Sequence, residues 1–353
     1  MASTSKLFLF GLNLAIFAVA SIPSISGCSS SSSSGTTTSG TGGSSSTTGG
    51  TGGGSTTSSG TGGTGGSGDP GVLVGSFVIR AKPPAGDTPG STAVLGKVYD
   101  GPSPSAIIWV PGKKSGDCQI LTPKVPFCNT PCGGSAVCVA DDTCQDYPTA
   151  HGAGTVTLSG LTQESGKADI VMTPIANNYQ PPASVKLAYP AFAEGDAIHF
   201  AASGDFFSPF TIDVKGVAEL DLGGGTLELD PNAPFALTWN APSKAGISTV
   251  HVKLDISHHG GTKGMIECDA ADTGSISIAA ELISDLIDLG VAGYPSVVVS
   301  RKATGSTTIA QGRIDAVVSS EVEREVEVPG LVSCTSDTDC PDMQTCQSDL
   351  TCK

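Results

Sequence analysis

One short segment of the chain carries residue types that could bind a metal ion. His251 and Asp255 share one face of a predicted strand at 249–257, and the paired His258 and His259 follow in a turn. Imidazole nitrogens and carboxylate oxygens are ligands of zinc and related transition metals. Because neighbouring histidines in a turn should point apart, we expect a polar strand and turn here, with a metal site as the weaker alternative.

The same segment places Ser257 next to His258, two residue types that serine hydrolases combine for nucleophilic attack. From residue 70 onward the chain has no Gly-x-Ser-x-Gly elbow, no His-Glu-x-x-His helix, no Walker loop and no dinucleotide fingerprint. We therefore expect no enzyme and no cofactor. A secreted hydrolase or metal-binding protein that uses residues 251–259 remains the second alternative.

The first 27 residues have the three parts of an export signal. Lys6 provides the positive charge, and residues 7–20 form an apolar run interrupted only by Gly11 and Asn13. At about 1.5 Å per residue, this run is too short to cross a hydrocarbon layer of about 30 Å. We predict a signal peptide at 1–27.

The tetrapeptide Ile-Ser-Gly-Cys at 25–28 resembles the lipobox of bacterial lipoproteins. The resemblance implies that Cys28 is acylated, anchors the protein in a membrane and becomes the mature N-terminus. Serine at positions 29 and 30 then implies the outer membrane of the cell envelope. An ordinary signal peptide that leaves Cys28 as a free thiol is the alternative.

Residues 29–68 contain only Ser, Thr and Gly. A segment without apolar side chains cannot offset the entropy lost on folding. We predict that 28–69 is a lipid-anchored, disordered tether.

The whole chain carries 33 acidic and 18 basic residues, a formal net charge of −15. This balance argues against a nucleic-acid partner, because affinity for phosphates depends on basic patches.

The cysteines indicate how the exported part is crosslinked. Setting Cys28 aside, ten of the eleven cysteines remain, an even number that predicts five disulfides in an oxidising compartment. An insertion at 118–144 holds Cys118, Cys128, Cys132, Cys138 and Cys144, the tail holds Cys334, Cys340, Cys346 and Cys352, and Cys268 stands alone.

Two segments of thirteen residues, 132–144 and 340–352, align without gaps and share three cysteines, an Asp and a Thr. We interpret them as one small knuckle used twice, each with a fourth cysteine. Four cysteines allow three pairings, and those stay open. Our hypothesis is Cys118–Cys268, Cys128–Cys138, Cys132–Cys144, Cys334–Cys346 and Cys340–Cys352. Zinc is the competing interpretation, although only Cys128-x₃-Cys132 has the close spacing of a zinc pair.

The tail resembles a short Cys-rich repeat of surface lipoproteins from myxobacteria and related soil bacteria. The order of lipobox, tether, β-domain and knuckle is similar as well. This resemblance concerns organisation and implies no particular activity.

Between 72 and 328 the chain reads as short runs of Val, Ile, Thr and aromatic residues, separated by Gly, Pro, Asn and Asp. The alternation of Leu with acidic residues in 219–230 predicts a hairpin closed by the glycine triplet at 223–225. Leu282, Leu286 and Leu289 predict one helix over 280–289. The Glu-rich segment 321–328 predicts an edge strand whose charges block strand addition, with cation binding as the alternative.

These elements predict an all-β fold, a β-sandwich that is either one large unit or two adjacent ones, with one short helix and small disulfide-rich knuckles. The β-domain would span 70–330 and the tail knuckle 331–353. We expect a cell-surface lipoprotein with a non-enzymatic role in binding, adhesion or envelope structure and an unidentified protein or glycan ligand. Trp239, flanked by Leu237 and Pro242, is expected to pack in the core between sheets. A carbohydrate-binding module is the alternative, with Trp239 and Trp109 as its ligand surface.

Overall fold

The structure, a computed structural model, describes residues 71–353. The predicted signal peptide, Cys28 and the whole of the predicted tether therefore lie outside the described residues. The described residues form nineteen strands and one α-helix: β1 Leu73–Lys82, β2 Ser91–Val98, β3 Ile108–Ser115, β4 Cys118–Lys124, β5 Ala136–Ala140, β6 Thr143–Asp146, β7 Val156–Ser159, β8 Thr162–Gln163, β9 Gly166–Lys167, β10 Ile170–Met172, β11 Asn178–Tyr179, β12 Ala197–Ala202, β13 Phe210–Lys215, β14 Phe235–Thr238, β15 Thr249–Asp255, β16 Met265–Ala271, β17 Ser275–Ile278, α1 Ala280–Asp288, β18 Ser296–Ile309 and β19 Gly312–Glu325. A short 3-10 helix at Asp337–Asp339 lies in the tail.

A nine-stranded sheet forms the backbone of the fold, in the order β11-β2-β1-β19-β18-β15-β16-β4-β3. Its pairs are antiparallel except for the parallel pair of β1 with β19. A second sheet has the order β10-β7-β12-β13. The predicted all-β sandwich with one short helix and disulfide-linked knuckles is confirmed.

Two hydrophobic cores lie along the nine-stranded sheet. The first lies between that sheet and the four-stranded sheet, with buried Phe77, Ile79, Leu158, Ile198, Phe200, Ile212 and Ile314. The second lies under α1, β14, β17 and the segment 220–229, with buried Leu220, Leu229, Leu237, Val252, Leu282, Leu286, Val297 and Val299. The 14-residue strands β18 and β19 contribute to both cores, so the arrangement corresponds to two adjacent sandwich halves on one sheet.

A buried ion pair ties loops of the second core to β18. The guanidinium of Arg301, fully buried, donates from Nε to Asp272 Oδ2 at 2.5 Å and from Nη1 to the Glu219 carbonyl at 2.9 Å. Trp239 Nε1 and Ser248 Oγ also donate to the Asp272 carboxylate. Burial raises the pKa of Asp272, but the hydrogen bonds from Arg301, Ser248 and Trp239 outweigh it, and the net shift is downward. Loss of either partner would leave a buried, unpaired charge, so the pair stays in place. The bond from Arg301 to the Glu219 carbonyl then fixes the segment around residue 219.

Three local expectations differ from the structure. Residues 219–230 form no hairpin, because the Leu229 N–H donates to the Glu327 carbonyl and not to the other half of the segment. Leu220 and Leu229 are nevertheless buried in the core, as predicted. The Glu-rich segment ends β19, which is a central strand of the sheet, but over residues 321–325 it pairs only with β18, so the predicted edge is local. Cys118 lies on β4 inside the large sheet, so the first knuckle proper covers residues 128–144.

Among the described residues, no helix is long and apolar enough to cross a membrane.

Candidate functional site: a cleft along the open edge of β19

The end of β19 is paired on one side only. On its β18 side, pairing continues to Glu325. On the other side, the ladder with β1 stops where Ala81 faces Ser320, and the chain turns away at Pro83 and Pro84. Proline has no N–H to donate, so it terminates the ladder there.

Pairing on this side resumes seven residues later. The Glu327 N–H donates to the Leu227 carbonyl at 2.7 Å, and the Leu229 N–H donates to the Glu327 carbonyl at 2.8 Å. Glu228 and Glu327 form a parallel bridge. Within the described residues, no strand therefore pairs with positions 321–326 on the β1 side, and this stretch borders a gap.

A cleft of about 1190 Å³ occupies this gap. Its walls come from the turn at 82–86, the segment 219–223, the histidine pair 258–259 and residues 321–325 of β19. Asn240, Tyr294 and Ser296 complete the lining. The site is thus assembled from six separate parts of the chain. Of these, the Glu-rich part and the histidine pair stand out in the sequence.

The cleft carries more negative than positive charge. Glu321 is neutralised, since its carboxylate lies 3.6 Å from both Arg80 Nε and Lys82 Nζ. Four other carboxylates line the cleft without an ion pair to Lys or Arg in the described part of the chain: Glu219, Asp221, Glu323 and Glu325.

Two of these carboxylates have neutral partners. Tyr189 Oη donates to Glu219 Oε1 at 2.7 Å, and burial together with that carboxylate raises the pKa of Tyr189. Asp221 Oδ1 accepts from the Gly223 N–H at 2.8 Å. Neither contact removes negative charge, so the cleft favours a cationic ligand.

Arg324 does not neutralise the acidic groups directly, because it is held by backbone. Its guanidinium donates from Nη1 to the Gly223 carbonyl at 2.8 Å and from Nη2 to the Gly225 carbonyl. The glycine triplet therefore clamps Arg324, and φ is +68° at Gly223 and +112° at Gly225, values that glycine adopts without strain. This contact fixes one wall of the cleft against β19.

The paired histidines differ from expectation. Their rings do not point apart but lie with centroids 3.9 Å apart, and His258 Nε2 is 4.0 Å from Glu323 Oε1. The Tyr294 N–H donates to the His258 carbonyl at 2.8 Å, and His259 has a positive φ of 64°. The turn therefore presents both imidazoles to the cleft.

The other members of the suggested metal set lie elsewhere. His251 Nδ1 is 3.0 Å from Asp269 Oδ1 on the neighbouring strand. Burial raises the pKa of Asp269, but hydrogen bonds and charge from His251 and Lys302 outweigh it and lower the pKa to about 2. Asp255 accepts from Ser257 and lies 3.7 Å from Lys253 Nζ. The structure thus brings His258 and His259 together and leaves His251 and Asp255 outside their cluster.

The suggested serine nucleophile is not paired with histidine in this structure. Ser257 is buried, and its Oγ donates to Asp255 Oδ1 at 3.2 Å and accepts from the Lys263 N–H at 3.1 Å. Both contacts shape the turn that carries His258. Ser257 therefore has a structural place rather than the geometry of an activated nucleophile.

The two tryptophans do not form a shared ligand surface. Trp239 is only 7% exposed and belongs to the second core, which confirms the expected core position and contradicts its alternative place on a ligand surface. Trp109 is half-buried on β3, at the far edge of the large sheet. Neither side chain lines the cleft.

All ten cysteines from 118 onward form disulfides: Cys118–Cys268, Cys128–Cys138, Cys132–Cys144, Cys334–Cys346 and Cys340–Cys352. These are the pairs of the sequence-based hypothesis. Sulfurs in each knuckle lie close enough together to resemble a thiolate metal site, but their bonding to one another removes the thiolates that zinc requires.

The second knuckle also supports the cleft. The Gly293 N–H donates to the Asp349 carbonyl at 2.7 Å, and Ser333 Oγ donates to the Gly293 carbonyl at 2.6 Å. Residue 293 adjoins Tyr294, and Gly260 follows the histidine pair, so the tail buttresses both. No spacing in the sequence predicts this contact, because it depends on how the tail folds back.

Comparisons with known proteins add little to this geometry. No family model matches the chain, and no curated protein matches it. Among solved structures, it is similar to a tetra-tandem repeat in the extending region of a large adhesion protein, with 13% identity, a TM-score of 0.17, and coverage of 74% of this chain and 76% of the other. It is also similar to trypsin-activated alpha-2-macroglobulin from Escherichia coli, with 10% identity, a TM-score of 0.16, and coverage of 72% of this chain and 20% of the other.

Proposed function

We propose that this protein is a lipid-anchored binding protein of the bacterial cell envelope whose β-domain captures a ligand in the cleft along β19. The observation that carries the proposal is the cleft itself, about 1190 Å³ in volume and bordered by an unpaired stretch of strand. This volume lies slightly above the range of roughly 300–1,000 Å³ that is typical of small-molecule sites, so the cleft has room for a larger ligand. The role in this proposal is non-enzymatic, and it is consistent with Ser257, the suggested nucleophile, being hydrogen-bonded to Asp255 and to the Lys263 N–H.

The anchor part of the proposal rests on the sequence at 1–69. Acylation of Cys28 would retain the protein at the outer membrane, since each buried methylene contributes about 0.8 kcal/mol. A Ser/Thr/Gly tether of 40 residues, 29–68, would span roughly 35 Å as a coil and place the β-domain away from the membrane surface. Five disulfides suit a domain that works in an oxidising compartment.

Two measurements test the proposal. Metabolic labelling with a palmitate analogue should mark the wild-type protein and not Cys28→Ala. Binding of the purified protein should be measured on arrays of immobilised peptides and immobilised glycans, in parallel with Ala85→Trp, which places an indole in the cleft mouth, and Ala271→Trp as a control on an exposed position of β16.

We expect a subset of probes to bind wild type and Ala271→Trp equally and to lose binding to Ala85→Trp. Absence of any array signal, or equal signal from both variants, would refute the cleft as the binding site. Glycan-only signals blocked by Ala85→Trp would keep the binding role and favour the carbohydrate-binding alternative.

A further inference from the structure

The peptide groups of Glu323 and Glu325 point into the cleft. Along β19, the N–H groups of Arg313 and Glu327 both donate toward the β1 side, to Val72 and Leu227, whereas Val326 N–H donates toward the β18 side, to Pro295. Because peptide groups alternate sides along a strand, odd-numbered residues face the open edge. The gap therefore presents the backbone donors and acceptors of Glu323 and Glu325.

The gap has the dimensions of a short strand. Ladder pairing stops at Ser320 and resumes at Glu327. Seven residues at about 3.3 Å each separate these positions by about 23 Å, enough for about five residues of an added strand. The parallel contacts of Glu327 with Leu227 and Leu229 show the same hydrogen-bond pattern that an added strand would form with Glu323.

The charges decide what kind of strand fits. Side chains on one face of an added strand would lie beside Glu323 and Glu325, which have no Lys or Arg ion pair in the described part of the chain. Like charges in neighbouring strands are destabilising and opposite charges stabilise. The same glutamates would thus disfavour an acidic strand and favour one with Lys or Arg at alternate positions.

We infer that the cleft binds an extended, basic peptide segment of another protein by strand addition to residues 321–326 of β19. Main-chain hydrogen bonds to Glu323 and Glu325 provide affinity, and the acidic lining provides selectivity. The segment is not the protein's own N-terminal part, because Lys6 is the only basic residue before Arg80. This inference rests on the cleft being the binding site proposed above, and it specifies the ligand class.

Fluorescence anisotropy with three labelled eight-residue peptides tests it on the purified, disulfide-intact protein. The first peptide alternates Thr and Lys, the second alternates Thr and Glu, and the third is the Thr/Lys peptide with alternate amides N-methylated. We expect saturable binding of the first peptide and at least about tenfold weaker binding of the second, because of charge. N-methylation should also weaken binding at least about tenfold, since it removes the main-chain donors.

Matched variants complete the test. Glu323→Lys/Glu325→Lys should lose at least about tenfold in affinity for the Thr/Lys peptide. Glu164→Lys/Asp169→Lys makes the same charge change at two exposed positions in the turns on either side of β9, and it should retain that affinity. Equal binding of the N-methylated peptide would overturn strand addition, and equal loss in both variants would overturn the site.

The two proposals fail in distinguishable ways. If the Thr/Lys peptide does not bind while an array probe does and Ala85→Trp blocks it, the basic-strand inference falls and the binding role of the cleft stands. If neither the peptide nor any array probe binds, both fall. Circular dichroism of each variant separates loss of binding from loss of folding.

Discussion

The two cysteine knuckles share a crosslinking framework but relate differently to the rest of the molecule. In the first, 128–144, all four cysteines are half-buried or exposed, and contacts to the body are polar and peripheral, such as Lys124 with Asp141 at 3.0 Å. In the second, Cys334 and Thr351 are fully buried, and the Asp349 carbonyl binds the Gly293 N–H. The first knuckle thus projects from the domain, whereas the second, with the same crosslinks, forms part of the structural support of the cleft.

The largest expected difference concerns the disulfides themselves. Cys128–Cys138 and Cys334–Cys346 enclose similar loops, with separations of 10 and 12 residues, so loop entropy alone predicts similar effects. We expect Cys334→Ala/Cys346→Ala to lower the free energy of unfolding by about 2–4 kcal/mol. Cys128→Ala/Cys138→Ala should change it much less, because that knuckle can open locally. Guanidinium unfolding followed by tryptophan fluorescence, to which Trp109 and Trp239 both contribute, measures both losses, and equal losses would contradict the comparison.

A steric test targets the docking contact. A Cβ on Gly260 would lie 2.3 Å from the Gly293 nitrogen and 2.7 Å from the Asp349 carbonyl oxygen. Gly260→Ala should therefore disturb the turn at 292–293 together with the second-knuckle carbonyl that docks on it, and cost about 1–3 kcal/mol.

The matched change in the first knuckle is Gly133→Ala, whose Cβ would meet nothing within 4 Å. It should be neutral or slightly stabilising, because it restricts the unfolded chain. Thermal unfolding of the two variants side by side gives the difference, and a neutral Gly260→Ala would show that the knuckle is not docked.

A smaller effect is expected at the equivalent threonines. Thr351 Oγ1 donates to Asp349 Oδ1 at 2.6 Å in a buried position, whereas Thr143 is exposed and its Oγ1 lies 3.4 Å from the Asp141 carbonyl. Thr351→Val should cost about 1 kcal/mol, and Thr143→Val should stay within about 0.5 kcal/mol of wild type. Urea unfolding midpoints are the measurement. A larger loss from Thr143→Val would reverse the assignment of the docked knuckle.

The two knuckles are expected to differ least in their response to low pH. Hydrogen bonds from Lys124 and the Phe127 N–H lower the pKa of Asp141, and hydrogen bonds from Lys353 and Thr351 lower that of Asp349. A lowered pKa in the folded state means that the stabilisation is complete above the ordinary carboxyl pKa and is lost as pH falls through the folded value.

Both knuckles should therefore loosen together below about pH 4. Carboxyl chemical shifts followed by NMR in a pH titration check this. Titration of either group above the ordinary aspartate pKa would contradict it.

Strand alternation and cysteine spacing predicted much of the fold. The alternation of apolar residues predicted β15 to within two residues, and the leucine stripe predicted α1 to within one, because burial of one face selects one period. The same logic failed at 219–230. Its leucines are buried as expected, but its backbone is held by Glu327 and by the guanidinium of Arg301, partners about 80 to 100 positions away.

The sequence alone determined the crosslinking groups, the all-β class and the concentration of acidic residues in 321–328, since these depend on spacing and local periodicity. Only the tertiary structure decided that this acidic strand lies inside a sheet with one open edge, that His258 and His259 face it together, and that one knuckle supports the turn while the other projects. Those outcomes depend on contacts between segments far apart in the chain. Such contacts form only when the nine-stranded sheet brings the turn after β1 and the turn after β15 to the same end of β19.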